Sequence, residues 1–287
     1  MPDAVPQTNA VPACQGFGVT TRSDTWWLGP LLTVLGLGGF VVYATWRAFF
    51  DWNSGLVRTP LGYQTSYAWG PYLSPFFSPE FFGYSHHAWL GTFPGWWPAF
   101  IPATPALLIL WAPAGFRATC YYYRKAYYRS FFADPPGCAV GEPWNAYKGE
   151  TAFPWILQNM HRFFMYVAVL FIVMLTYDGI CSYLWTDPLT GQKHFGMGLD
   201  SLLLTLNPLL LAGYTFGCHS CRHMVGGKLN CFSREAGGAA RYKAWSLVTI
   251  LNRYHMQWAW CSLFMVGFTD FYVRMVALGV WKDPRFF

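Results

Sequence analysis

Five long apolar runs divide the chain, and each is long enough to cross a lipid bilayer as a helix, which takes about 20 residues. Charged residues cluster between the runs and are rare within them. The pattern predicts an all-α polytopic membrane protein, a bundle of five transmembrane helices in a single membrane domain covering residues 1–287. The last run exceeds one span and is expected to tilt or to project from the bilayer. The predicted helices cover residues 26–50, 99–123, 155–184, 199–223 and 245–280.

The Lys and Arg residues of the connections predict the orientation, because short cytoplasmic loops carry an excess of both. The first connection contains Arg58 alone and the third Lys193 alone. The second and fourth connections are basic. The second has Arg117, Arg124, Lys125, Arg129 and Lys148 in or beside it, with Arg162 just inside the next helix, and the fourth has Arg222, Lys228, Arg234, Arg241, Lys243 and Arg253 in or beside it. The N-terminus is therefore expected in the cytoplasm and the C-terminus outside. Residues 51–98, rich in Pro, Gly and aromatic residues, then form a long extracytoplasmic loop between helices 1 and 2.

Composition supports a location in the cell membrane. Of the 287 residues, 54% are hydrophobic and 11% are charged, whereas a soluble domain carries about 25% charged residues. So few charges could not cover a globule of this size with a hydrated surface. The formal net charge of +6 is accounted for by the basic loops. It therefore indicates topology and contact with membrane lipids, and not a nucleic-acid partner.

Cysteine and histidine residues gather at the predicted cytoplasmic ends of four helices. Each lies at the edge of an apolar run, within about one or two helical turns of the charged boundary. Polar groups buried at such depths are costly without partners, so they are candidates for function. The candidate ligands are Cys120, His161, Cys218, His219, Cys221, His223 and His255.

Spacing within the fourth predicted helix limits what it can present to the bundle. Cys218 and Cys221 stand three residues apart and would share one face, whereas His219 and His223 stand four apart and would share a neighbouring face. The mixture of thiols and imidazoles suits zinc or an iron–sulfur cluster. A Rieske-type [2Fe–2S] centre has two Cys on one iron and two His on the other. Zinc carries no electrons, and a membrane bundle needs no such cross-link.

Two further groups of polar residues are candidate sites for a quinone or for protons. A quinone headgroup needs hydrogen-bond donors and a flat apolar slot, which the cytoplasmic edge could supply. The candidates at this edge are Tyr121, Arg124, Arg162, Gln257 and Trp258. For Arg124 and Arg162, the alternative is contact with lipid headgroups or with a docked subunit.

On the predicted outer side, Asp270 lies in an apolar run and Arg274 follows at i+4. An intramembrane Asp can serve a proton path or pair with a nearby Arg. With Asp178 it would line a second quinone or proton site.

Several segments together resemble the membrane-anchor subunit of actinobacterial succinate dehydrogenase or fumarate reductase (complex II). They are FRATCYYYRKAYYRSFF, PPGCAV, LQNMHRFFMY, GCHSCRHMVGG and HMQWAWCSLFMVGFTDFYVRMVA. The resemblance implies an electron-transfer subunit that does not itself oxidise succinate. It implies two partners, a flavoprotein subunit with FAD and an iron–sulfur subunit, and menaquinone as the electron acceptor; a higher oligomer of the complex stays open. The branch resembled is associated with a membrane-embedded Rieske-type [2Fe–2S] cluster, whereas other anchors hold b haems.

The histidine distribution weighs the cluster against haem. The first two predicted helices and the outer halves of the last three contain no His, so a second, distal haem is not expected. One haem between two of the four candidate histidines remains the alternative, but it leaves the thiols unexplained. The preferred ligands are one from each of four helices, namely Cys120, His161, Cys218 or Cys221, and His255; the second choice pairs Cys218 with Cys221 on one iron. A metal-handling membrane protein is a further alternative.

Overall fold

The computed structural model describes residues 16–59, 62–144, 149–187 and 190–287. The first fifteen residues, whose cytoplasmic location is predicted above, lie outside them. The described chain is mostly helical, with three short antiparallel hairpins in the connections. The α-helices are α1 (Leu28–Phe49), α2 (Pro105–Ile109), α3 (Trp111–Ala118), α4 (Tyr121–Phe131), α5 (His161–Cys181), α6 (Leu199–Phe216), α7 (His219–Arg222), α8 (Gly238–Arg253) and α9 (His255–Ala277).

Three helices in the described part of the chain are long and apolar enough to cross a membrane: Leu28–Phe49, Trp155–Cys181 and Leu199–Phe216. The second of these joins a 3₁₀ segment, Trp155–Met160, to α5. These spans agree with the predicted helices 26–50 and 155–184 to within three residues at each end. The predicted helix 199–223 begins correctly but ends seven residues early, because the chain leaves the helix at Gly217 and Cys218 is extended (φ −74°, ψ 156°).

The other two predicted helices are interrupted. The run 99–123 was expected as one helix, but it contains α2, α3 and the start of α4. Pro113 has no N–H to donate to the carbonyl of Ile109, where α2 ends. A second break at Thr119 and Cys120 separates α3 from α4. The run 245–280 was also expected as one long helix, and this was wrong: Tyr254, at φ −105° and ψ 23°, separates α8 from α9.

The chain divides into two compact units. Among the described residues, the N-terminal unit contains 16–39 and 121–157 without 145–148. In it the backbone of Gly18 donates to the carbonyl of Gly141 at 2.9 Å, beside an isolated bridge between Thr20 and Val140. Aromatic side chains of α4 pack against the 3₁₀ segment, with the rings of Tyr128 and Trp155 edge to face at 5.2 Å.

The second unit, here called the bundle unit, contains Phe40–Cys120 and Gln158–Phe287. In it α6 packs against both α5 and α9, and α3 packs against α5. The hairpins are β1–β2 (Val57–Thr59 and Gly62–Gln64), β3–β4 (Ala68–Trp69 and Tyr72–Leu73) and β5–β6 (Leu184–Thr186 and Lys193–Phe195). The described chain is mostly helical, in agreement with the predicted all-α class, but these short hairpins were not predicted.

The described residues of the segment 51–98, which do not include 60 and 61, are an ordered part of the bundle unit. Its side chains Tyr67, Phe76 and Phe77 are buried and belong to one apolar cluster with Ala48 of α1. The rings of Tyr67 and Phe77 stack at 4.4 Å. Burial of this much aromatic surface explains why so many Pro and Gly residues do not prevent a defined conformation.

Candidate metal centre

The candidate ligands lie where helices of the bundle unit begin or end. Cys120 follows α3 in the non-helical break, and Cys218 follows the end of α6. His161 is the first residue of α5, and His255 is the first residue of α9. Helix ends are points where the backbone changes direction, so side chains there can converge in ways that a straight helix does not allow.

Three thiols and one imidazole are buried at this end of the bundle unit. Cys120 and Cys218 are each 1% exposed, and Cys221 and His255 are each 7% exposed. The Sγ atom of Cys120 lies 3.5 Å from Nε2 of His255. The thiols of Cys120 and Cys221 are both close enough to that of Cys218 to act on it electrostatically. The four side chains therefore form one buried group.

Cys218 and Cys221 meet through a cap and not through one helical face, which corrects the spacing argument. Cys218 is the N-cap of the short helix α7, and its Sγ accepts a hydrogen bond from the backbone N–H of Cys221 at 3.2 Å. The same sulfur contacts Sδ of Met165 at 3.5 Å. The extended backbone at Cys218 turns both thiols toward the interior.

Aromatic rings hold the two more buried histidines. His161 stacks on Phe116 with ring centres 4.7 Å apart and planes 3° apart, and its Nδ1 lies 3.0 Å from the hydroxyl of Thr119. His255 stacks on Tyr214 at 5.0 Å and 15°. Phe116 and Tyr214 meet edge to face at 5.3 Å. Each imidazole is thus packed against one aromatic ring, and His161 also contacts the Thr119 hydroxyl.

Arg117 ties α3 to α9 beside this stack. Its Nη1 donates to the carbonyl of Ala259 at 3.2 Å and its Nη2 to the hydroxyl of Ser262 at 3.0 Å. The guanidinium carbon lies 4.7 Å from the ring centre of Tyr214. This is cation–π geometry, which is most favourable when water is excluded.

Glycines allow close packing behind Cys218. A Cβ at Gly213 would lie 2.7 Å from the ring of Trp258, and one at Gly217 would lie 2.7 Å from the carbonyl of Gly213. The carbonyl of Gly217 accepts a hydrogen bond from Nδ2 of Asn252 in α8 at 2.7 Å. The turn that exposes the Cys218 thiol to the interior therefore depends on these contacts.

An apolar cavity of about 140 Å³ lies next to the aromatic stack, bounded by α1, α3, α5, α6 and α9. Its wall includes Phe116, Arg117 and Tyr214. The space beside the stack is thus large enough for a small group and lined mainly by apolar side chains.

The remaining candidate ligands are exposed. His219 opens α7 and is close enough to act electrostatically on both His161 and His255. His223 begins a π-helical turn, His223–Gly227, and is also exposed. Among the described residues, no three or more His, Cys, Asp or Glu side chains are arranged to hold one metal ion. Pairs of ligands are present instead.

The predicted quinone residues divide between the units. In the N-terminal unit Tyr121 is exposed, and Arg124 forms an ion pair with Glu150 at 2.7 Å. In the bundle unit Arg162 and Gln257 are exposed. The indole N–H of Trp258 is buried and has no hydrogen-bond partner among the described residues. Of this group, Trp258 alone has a buried donor with its hydrogen-bonding capacity unused in the described part of the chain.

Asp270 and Arg274 do not pair with each other, contrary to one of the two predictions for them. Asp270 is bound by Arg47 of α1 at 2.8 Å, and Arg274 by Asp51 at 2.5 Å. Asp178 accepts a hydrogen bond from the hydroxyl of Ser78. Asp270 therefore serves a buried ion-pair network, and the prediction of a proton path or second quinone site through it stays a prediction.

Arg47, Phe116 and Tyr214 were not predicted as site residues from the sequence, and Arg117 was assigned only a topological role. For the two arginines a signal exists, since each lies inside a predicted apolar helix, where an ionisable residue is a functional candidate by default. For the two aromatic residues no signal exists in a chain with 21% aromatic residues.

Comparison with known proteins identifies the family. The model of the family described as actinobacterial succinate dehydrogenase subunit SdhC matches residues 28–279. The chain belongs to this SdhC family. A solved structure, the Mycobacterium smegmatis Sdh1 complex in the apo form, contains a chain that is 42% identical, with a TM-score of 0.80 over 99% of this chain and 97% of that one. No curated protein matched.

Membership of the SdhC family confirms the predicted resemblance in its main point, a membrane-anchor subunit of succinate dehydrogenase. The matched region includes every candidate ligand of the metal centre. It also includes α1, α5 and α6, which together account for the candidate spans.

Proposed function

We propose that this SdhC-family subunit passes electrons from a docked iron–sulfur subunit to menaquinone through a Rieske-type [2Fe–2S] cluster. The observation that carries the proposal is the burial of three thiols with His255 at one end of the bundle unit. The proposed ligands are Cys120, His161, Cys218 or Cys221, and His255. When bound, the cluster would accept and release one electron at a time.

The donor set fits such a cluster. A [2Fe–2S] centre of this type needs two ligands on each of two irons, so ligand pairs are expected and not a three-residue set around one ion. Within the described residues Nδ1 of His255 has no hydrogen-bond partner, while its Nε2 points toward the Cys120 thiol. Burial of unpartnered polar atoms is costly, and metal ligation would remove that cost.

A b haem is supported less well. Two histidines on one haem iron need a flat slot between them, but Phe116 and Tyr214 lie in contact with the two imidazoles and with each other. A macrocycle ligated by both His161 and His255 would require those rings to move. A haem would also leave the three buried thiols without a role.

The remaining parts of the proposal concern topology and partners. We propose five membrane-crossing segments, with the interrupted α2–α3 and α9 as the additional two, the N-terminus in the cytoplasm and the C-terminus outside. The partners are a flavoprotein subunit with FAD, which oxidises succinate, and an iron–sulfur subunit docked on the cytoplasmic face. The similar chain of known structure is part of an Sdh1 complex, which supports an assembly of this kind.

Menaquinone is proposed to bind near the cluster with the indole N–H of Trp258 as one donor. That group is buried without an acceptor among the described residues, and a quinone carbonyl would supply one. Gln257 and Arg162 are exposed residues of the bundle unit and are proposed to help orient the headgroup. Tyr121 and Arg124 belong to the N-terminal unit, where Arg124 pairs with Glu150, and for them a role in quinone binding stays a prediction.

The test uses the complex purified with its co-eluting subunits. A Rieske-type EPR signal after reduction, without a haem α band, is expected in the unaltered complex. The signal should be lost in the assembled Cys120→Ser and His255→Gln complexes. It should persist in Cys181→Ser and His194→Gln, which replace a thiol and an imidazole outside the site. Separate Cys218→Ser and Cys221→Ser variants decide which of the two thiols is a ligand.

Other results would overturn parts of the proposal. A haem band without the EPR signal would replace the cofactor but keep the electron-transfer role. Absence of both signals, together with no co-eluting dehydrogenase subunits, would overturn the electron-transfer role itself.

A further inference from the structure

Arg117 is a fixed cation at the edge of an apolar cavity. It lies in the last turn of α3, and two hydrogen bonds from its guanidinium to α9 restrain it. The group also faces the ring of Tyr214 at 4.7 Å. A cation held this firmly in apolar surroundings exerts a field that solvent screens weakly.

That field reaches His255 through Tyr214. The imidazole of His255 stacks on the same ring at 5.0 Å, so the guanidinium lies within about 10 Å of it. This distance is close to the Debye length of about 8–10 Å at 0.1–0.15 M salt. Arg222, by contrast, directs its guanidinium to Trp245 and to the hydroxyl of Thr249 in α8.

We propose that Arg117 raises the reduction potential of the redox centre by placing a positive charge beside His255. The inference rests on the proposed function. Reduction of a cluster adds one negative charge, and a nearby cation stabilises the reduced form more than the oxidised form. Hydrogen bonds, net charge and solvent exposure are the known determinants of such potentials. Arg117 thus acts on the redox centre through its positive charge and is not a ligand.

A purely structural role is the competing explanation, because Arg117 also joins α3 to α9. The two roles differ in what a lysine can replace. Lysine keeps the charge but cannot reproduce the forked pair of hydrogen bonds. Glutamine keeps a hydrogen-bond donor but removes the charge.

The test is a redox titration of the cluster EPR signal at one fixed pH in the purified complex. In Arg117→Gln, the midpoint potential should fall. At the midpoint potential of the unaltered complex, the ratio of oxidised to reduced cluster should therefore rise about tenfold, which corresponds to a fall of about 59 mV for a one-electron couple. Arg117→Lys should stay within about twofold of the unaltered ratio. Arg285→Gln is the matched control, because Arg285 lies 3.8 Å over the ring of Trp185 but at the other end of α6.

A second variant covers the case in which Arg117→Gln does not assemble. Ser262→Asp keeps the arginine and places a carboxylate where the guanidinium now bonds a hydroxyl at 3.0 Å, so the midpoint should fall as well. An unchanged midpoint in Arg117→Gln, or in assembled Ser262→Asp, would overturn the role of Arg117 alone. An equal fall in Arg117→Lys and Arg117→Gln would also overturn it in favour of a structural role. An unaltered complex without the cluster signal would overturn the proposed cofactor, and this role with it.

Discussion

The guanidinium of Arg47 in α1 donates to the carboxylate of Asp270 in α9 from Nε at 2.8 Å and from Nη2 at 3.1 Å. Both side chains are 0% exposed. The hydroxyls of Tyr43 and Ser74 each donate to the same carboxylate at 2.5 Å. The pair therefore joins two helices and the segment 51–98 in the bundle unit.

Replacing Asp270 by Asn should destabilise the complex more than a single lost hydrogen bond would. The change leaves Arg47 beside a neutral amide, with Asp51 at 2.7 Å from its Nη1 as the remaining carboxylate partner. Breaking a buried ion pair from one side costs about 3–5 kcal/mol when no partner remains, so a loss near the lower end, about 3 kcal/mol, is expected here. Thermal unfolding of the purified complex measures the effect. Asp178→Asn is the control, because Asp178 accepts a hydroxyl from Ser78 and is not part of this ion pair. Equal melting temperatures for Asp270→Asn and the unaltered complex would contradict the prediction.

Replacing a second buried carboxyl, that of Asp200, should raise the stability of the complex. Both its oxygens are buried without hydrogen-bond partners in the described part of the chain, and Asp283 lies close enough to repel it. Asp200→Asn removes that repulsion and the cost of burying a charge. The variant should gain about 1 kcal/mol, which corresponds to roughly 2–4 °C in melting temperature for a domain of this size.

Asp283→Asn is the matched comparison. Its carboxylate accepts hydrogen bonds from the hydroxyls of Tyr72 and Tyr272 at 2.8 and 3.1 Å and from the backbone of Asp200 at 3.2 Å. Loss of that charge should lower the melting temperature. The explanation fails if both variants shift stability in the same direction by the same amount.

The sequence predicted the apolar helices well where nothing interrupts them. The C-terminal ends of helices α1 and α5 lie within three residues of their predicted positions, because an apolar run and a helix of membrane length coincide there. The breaks at Cys120 and Tyr254 were missed. Neither residue carries a local signal such as Pro or Gly, and tertiary packing decides the backbone conformation at such positions.

The sequence predicted which Cys and His residues form the candidate site, but not the aromatic packing around them. Residues at the ends of apolar runs share a depth in the membrane, so Cys120, His161, Cys218 and His255 could be grouped without a fold. The stacking of Phe116 and Tyr214 on the two histidines depends on how α3, α6 and α9 face one another. Helical spacing within a single segment does not contain that information.

Acid should destabilise the segment 51–98 through His87. Burial, with the charge of His86 as the next cause, lowers the pKa of His87 from 6.5 to about 4. Between these values the unfolded chain binds a proton that the folded chain does not, so stability is lost as the pH falls from 6.5 toward 4. Above pH 6.5 this residue contributes no pH dependence.

His87→Gln removes the titration while keeping a donor for the carbonyl of Gly70, which lies 3.2 Å from Nε2 of His87. Melting temperatures of the complex measured from pH 7 to pH 4 should fall less steeply in this variant. His194→Gln, at an exposed position in β6, should follow the unaltered curve. Parallel curves for all three proteins would show that His87 does not contribute.

A methyl group at Gly217 should disturb the turn that places the Cys218 thiol. A Cβ there would lie 2.7 Å from the carbonyl of Gly213 and 3.1 Å from that of Leu251, and backbone atoms cannot move aside as a flexible side chain can. Overpacking of this kind costs about 1–3 kcal/mol. Gly217→Ala should therefore lower both the melting temperature and the amount of iron retained per complex.

Gly39→Ala is the control, since a Cβ at Gly39 would meet no described atom within 4 Å and alanine favours a helix by up to about 1 kcal/mol. If Gly217→Ala lost stability but kept its full iron content, the turn would matter for folding and not for holding the centre.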